Sequence, residues 1–199
     1  MASILMPLPD HDFDVTEVAV PWQLLREAGH TVVFATETGA TPACDPLLLT
    51  GVLFGKLGAE PEPIAFYRAM EQDPAFRAPI AWTSIDPSAC DALFLAGGHA
   101  PGMVQYLGSE ALAQHIAAFW ALDRPVAAIC HGVLPLARAT DPRTGLSPLA
   151  GRTTTCLPRY MERLAWWLTA WKLGRYYRTS PAYVQDEVKE AVGVDGRFV

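Results

Sequence analysis

Short apolar, β-rich runs alternate along this chain with segments of helical period, and two of those runs end abruptly in glycine-bearing turns. Thr31-Val32-Val33-Phe34-Ala35-Thr36 is nearly continuous in apolar character, as a strand buried on both faces is. Asp91-Ala92-Leu93-Phe94-Leu95-Ala96 reads as a second such strand and stops at Gly97-Gly98. Pro125-Val126-Ala127-Ala128-Ile129 reads as a third and runs straight into Cys130-His131-Gly132, and Ile4-Leu5-Met6 as a short opening strand. Between these runs the period changes. From Thr16 to Ala28 the positions Val18, Val20, Leu24, Leu25 and Ala28 follow helical spacing, with Gly29 as the stop. Glu110 to Leu122 predicts a helix capped by Ser109, Val133–Ala137 an apolar helix, and Ile64–Met70 a short one, whereas 37–62 reads as loop. Strand–helix alternation of this kind predicts a doubly wound α/β architecture, a parallel sheet with helices on both faces.

Composition narrows the class. Apolar residues make up 51% of 199 residues and charged residues 18%, enough for a sizeable core in one domain spanning 1–199. Acids outnumber bases 21 to 15, a net charge of −6, which disfavours a general nucleic-acid partner. No stretch reaches the roughly 18 uncharged apolar residues of a membrane span. The opening Met1-Ala2-Ser3-Ile4-Leu5-Met6 lacks the basic region of a signal peptide, so a cytoplasmic setting is expected. Cys44, Cys90, Cys130 and Cys156 lie far apart without metal-ligand spacing, so neither a metal site nor a disulfide framework is expected.

Beyond Pro148, Thr153-Thr154-Thr155-Cys156 is strand-like, and a helix from about Tyr160 to Leu173 carries Trp166, Trp167 and Trp171. Six basic residues and one acid, Glu162, lie between Arg152 and Arg178. A membrane-surface helix is one reading of that pattern. A tryptophan face packed on the sheet or on a second subunit is the preferred one, and no membrane partner is expected.

Three places carry chemistry. A strand that turns abruptly into a helix presents Cys130 at the carboxyl end of the sheet, the geometry of a nucleophile elbow, beside His131. The helix start favours the thiolate. Gly97-Gly98-His99 ends the neighbouring strand, where adjacent glycines admit a ligand to the backbone and leave N–H groups for an oxyanion. Glu17 sits near the start of the first helix, as a macrodipole partner or as a general acid/base beside the cysteine.

Phe13-Asp14-Val15-Thr16-Glu17, Pro21, Ala28-Gly29-His30 and Val33-Phe34-Ala35-Thr36 resemble the opening of the ThiJ/PfpI superfamily, most of all its branch of glutathione-independent glyoxalases and heat-shock-protein-31-like proteins. Asp91 to His99 and Ala127 to Gly132 resemble its two other signatures, and Pro181 to Glu187 is a looser echo of its C-terminal segment. The resemblance implies a flavodoxin-like fold, a homodimer, and no metal or organic cofactor. It makes Cys130 the nucleophile, Glu17 the carboxyl against it and His131 the adjacent histidine, with Gly98 and His131 N–H groups as the oxyanion site beside Gly97 and His99. It makes Glu162 the acid that orients the histidine. Trp22, next to Pro21, is read as a buried packing residue first and as a wall of the pocket second. Ala96 and Ala100 depart from the proline and glycine common in the family, so the pocket mouth differs. Members of this branch usually continue with one more strand and helix beyond the region matching Val192–Val199. Either the sheet closes without those elements, or the chain is shortened and a partner covers its edge.

The function expected from the resemblance is a glyoxalase-type conversion of a 2-oxoaldehyde to a 2-hydroxy acid. Isonitrile hydration or amide hydrolysis at the same cysteine is one alternative, and a stress-response holdase or cysteine redox sensor is another. Glutamine amidotransfer is the weakest option, since the chain carries no synthetase partner domain.

Overall fold

The apolar runs of the sequence become a five-stranded sheet in which every neighbouring pair is parallel. The computed structural model describes residues 1–199. In chain order the strands are β1 (Ser3–Pro7), β2 (His11–Phe13), β3 (Thr31–Thr36), β4 (Ala43–Cys44), β5 (Ile80–Ala81), β6 (Ala92–Leu95), β7 (Val126–Ala128), β8 (Thr153–Thr154) and β9 (Arg197–Phe198). The α-helices are α1 (Val15–Glu27), α2 (Pro46–Thr50), α3 (Pro61–Met70), α4 (Pro74–Arg77), α5 (Met103–Leu107), α6 (Glu110–Trp120), α7 (Val133–Arg138), α8 (Arg159–Leu173) and α9 (Val184–Val192). The main sheet has the order β5-β3-β1-β6-β7, the doubly wound arrangement expected from the alternation, in the flavodoxin-like fold that the resemblance implies. The order reverses between β1 and β6, and α/β proteins bind ligands at such a point, outside the carboxyl ends of the strands.

Burial explains why these strands form. Met6, Phe34 and Leu95 are buried in the sheet, and Phe119 of α6 is buried against it. Each large apolar side chain so buried contributes about 1.5–3 kcal/mol. An aromatic group ties the loops to β3: Phe76 meets Phe34 edge-on at 5.1 Å and Phe13 at 6.3 Å, with Tyr67 at 6.3 Å. The Tyr67 hydroxyl accepts from the Cys44 N–H, and the Trp82 indole donates to the Ala35 carbonyl. These buried polar groups are thereby satisfied.

Several elements differ from the expectation. The stretch read as loop holds β4 and α2, and β4 pairs in parallel with β2 as a separate two-stranded ribbon. Neither two- or three-residue strand has enough residues to show a period. Thr153-Thr154 does form a strand, but it pairs with β9 in a second ribbon rather than with the main sheet. The tryptophan face of α8 is not packed on the sheet, since Trp167 and Trp171 are 73% and 69% exposed. Strand β7 ends the main sheet, and an open apolar groove of about 500 Å³, lined by residues including Val126, Ala128, Leu149 and Val199, runs beside it. No helix is long and apolar enough to cross a membrane.

Candidate active site

The carboxyl ends of β6 and β7 and the start of α1 converge because three short connections are locked by hydrogen bonds. Asp14 caps α1, its carboxylate accepting from the N–H groups of Thr16 at 2.8 Å and Glu17 at 3.1 Å. Its own N–H donates to the Gly97 carbonyl at 3.0 Å, which fastens the helix start to the end of β6. Glu17, in the first turn, then accepts from the Gly97 N–H at 2.9 Å through Oε2. A Cβ on Gly97 would lie 2.7 Å from that oxygen and 2.8 Å from the His131 nitrogen, so only glycine admits the carboxyl this close to the sheet. Pro21 has no N–H for the Glu17 carbonyl, leaving the first turn without that helical bond.

Cys130 follows β7 at φ 55°, a left-handed conformation that costs a non-glycine residue about 1–2 kcal/mol. Such strain survives only where the surroundings enforce it, and nucleophile elbows have this form. The thiol is partly exposed, and its Sγ lies 3.4 Å from Nδ1 of His131. The Glu17 carboxyl and the His131 N–H both face the same sulfur. The Gly98 N–H makes no hydrogen bond within the protein.

Electrostatics make the pair reluctant to ionise. Burial, reinforced by the charge of Asp14, pushes Glu17 up to about 8, against the pull of Cys130 and the Gly97 N–H. Burial and then the Glu17 charge raise the Cys130 thiol well above its ordinary value. The two groups therefore titrate as a unit. Burial pushes His131 down to about 3, helped by His99 and Arg138, and burial alone pushes His99 down to about 4. Both imidazoles are neutral at working pH.

The structure brings Glu17, Cys130, His131, Gly98 and His99 together and sets the other candidate residues apart. Gly97 is adjacent, but its N–H is bonded to Glu17 and its carbonyl to Asp14, so it is not a free oxyanion donor. Trp22 is 1% exposed, packed in the core with the Arg26 guanidinium 4.7 Å above its ring. Glu162 is buried, but its Oε2 accepts from the Val184 N–H at 3.2 Å and its Oε1 faces Arg178 at 3.7 Å. It fastens α8 to α9, and its bonded partners do not include His131.

Residues the sequence did not single out brace the site. The ring of His99 stacks edge-on between His131 at 5.0 Å and Tyr177 at 4.9 Å, and the Tyr177 ring meets Tyr176 at 4.8 Å. Tyr176 donates to buried Asp45, and Thr179 donates to the His99 carbonyl. These partners lie dozens of residues away in the chain, so no local pattern announces them.

The sequence matches the family described as ThiJ/PfpI family-like over residues 8–190. It is similar to an uncharacterized protein of Schizosaccharomyces pombe, with 28% identity over 197 residues, 95% of this chain and 68% of that protein. The fold resembles glyoxalase III from Candida albicans with a TM-score of 0.72 at 19% identity, covering 100% of this chain and 82% of that one. It also resembles the 24 kDa rapid encystment protein of Francisella tularensis, TM-score 0.73 at 16% identity, covering 100% and 84%. At such identities these two likenesses bear on the fold alone.

Proposed function

This chain belongs to the ThiJ/PfpI family-like group, and from that premise we propose that it is a cysteine-dependent enzyme converting a small 2-oxoaldehyde to a 2-hydroxy acid. The observation that carries the reading is the Cys130 thiol at a strained turn, flanked by Glu17 and by His131 Nδ1 at 3.4 Å. The similarity in fold to glyoxalase III from Candida albicans supports it.

The steps follow from what these groups can do. The thiol adds to the aldehyde carbon, its proton passing to the new oxygen by way of Glu17 or His131, to give a hemithioacetal. The unpaired Gly98 N–H and the His131 N–H steady the oxygen as charge develops on it. Glu17, ionised once the shared proton has left, removes the hydrogen from the former aldehyde carbon to form an enediol. It returns a proton to the neighbouring carbon, leaving a thioester of the 2-hydroxy acid. Water cleaves the thioester, releasing the acid and the free thiol. The oxidation of one carbon balances the reduction of its neighbour, so the sequence asks for no redox cofactor.

A resting redox sensor requires an ionised, accessible thiol. The raised thiol here favours activation by substrate instead. The test is a panel of methylglyoxal, phenylglyoxal, an isonitrile and simple amides against wild type, Cys130→Ser and Glu17→Gln. The reading expects 2-hydroxy acid from the oxoaldehydes and its loss in both variants. Full turnover by Cys130→Ser would overturn it.

A further inference from the structure

Three metal-binding side chains meet at the carboxyl edge of the sheet, and the reaction above does not use them as a set. His99, Cys130 and His131 each bring one nitrogen or sulfur within 4.8 Å of the others. We propose that this cluster binds one zinc ion, through Cys130 Sγ, Nδ1 of His131 and the imidazole of His99, and that the bound ion blocks the thiol.

Zinc bonds of about 2.0–2.1 Å to nitrogen and 2.3 Å to sulfur in a tetrahedron place neighbouring donors roughly 3.4–3.6 Å apart. The Sγ to Nδ1 separation of 3.4 Å already meets that value. The longest separation has to close by roughly 1 Å, a small rotation of the half-buried His99 ring. A mixed sulfur and imidazole set suits zinc, which imposes no geometry of its own and tolerates three protein ligands with an open fourth position. Glu17 faces the sulfur and takes up its proton when the metal binds.

Binding breaks the S–H bond and forms a Zn–S bond, and the proton passes to solvent by way of Glu17. Water ligands of the ion are displaced, and nothing is oxidised or reduced. His99 lies on a different strand end from Cys130 and His131, which is why ligand spacing in the sequence does not reveal the set. Zinc binding stands independently of the reaction assigned above. Only its effect on turnover rests on that reading.

The experiment titrates chelator-treated protein with zinc chloride under a phosphine reductant, in competition with a chromophoric chelator, with cobalt(II) as a spectroscopic stand-in. The expected result is one zinc per chain, one proton released per ion, and a thiolate-to-cobalt charge-transfer band. His99→Ala and Cys130→Ser should each weaken binding by roughly 100-fold, at or beyond the upper end of losing an outer-shell group. His99→Gln should do the same, and circular dichroism of all three variants separates lost ligands from lost fold. His115→Ala, on α6, should bind as wild type does. Unchanged affinity in folded His99→Ala or His99→Gln, or no saturable zinc in wild type, would overturn the proposal. Oxoaldehyde turnover in zinc-free protein is scored separately, so failure of zinc binding and failure of the assigned reaction are read on different axes.

Discussion

Glu17 and Glu162 invite comparison because the sequence treats them alike and the structure does not. Each lies in the first turn of a helix, α1 or α8, and burial raises each above the ordinary carboxylate range. Glu17 has one N–H donor, from Gly97, and otherwise faces a thiol. Glu162 has an N–H donor from Val184 and a guanidinium, Arg178, closing its other side. Burial makes a carboxyl reluctant to ionise. What stands opposite it decides whether that reluctance moves a proton or holds two helices together.

The largest expected effect separates the two outright. Glu17→Gln should lower the rate of 2-hydroxy acid formation by about 10²–10⁴-fold, the range for a general acid/base. Glu162→Gln should leave the rate within a few-fold. Equal losses in the two variants would break the comparison. Next comes stability. Arg178→Met leaves Glu162 buried without its cation and should cost about 3 kcal/mol in urea unfolding, the lower end for removing one partner of a buried pair. Glu162→Gln with Arg178→Met should recover part of that loss.

The pH dependence sharpens the Glu17 half. Its pKa in the folded chain, about 8, exceeds the ordinary value of 4.5, so the folded state holds a proton the unfolded state has released. Stability from this group is therefore complete below about pH 4.5 and is lost as pH rises to about 8. Glu17→Gln should raise the melting temperature relative to wild type above pH 8 and leave it unchanged near pH 4. The smallest effect belongs to α8. Trp167→Ala, at a side chain 73% exposed, should change the unfolding free energy of the isolated chain by no more than about 0.5 kcal/mol.

Local pattern explains how much of this was legible. The strands at 31–36 and 92–95 are buried enough to write apolar runs, 126–128 writes one although it is an edge strand with Ala127 exposed, and α1, α6 and α7 lie within two residues of their predicted bounds. The Cys130 turn was legible because a strand, a turn and a helix follow one another in sequence. β2, β4 and β5 were not, since two or three residues carry no period. The fate of Glu162 was not legible either. Whether it orients His131 or pairs with Arg178 depends on how the chain after α8 folds back, and spacing is silent on that. For Trp22 the favoured reading, a buried packing residue beside Pro21, is the position it takes.

The central claim is that Cys130 and Glu17 work as one proton-sharing unit, and the pH profile of kcat/KM for an oxoaldehyde tests it most directly. Wild type should rise with pH and level off above about 8, as Glu17 ionises and leaves the pair a single proton to share, while Glu17→Gln should be slow and flat across the same range. A wild-type profile that is flat through pH 8, or a Glu17→Gln profile that still rises there at full rate, would contradict the account.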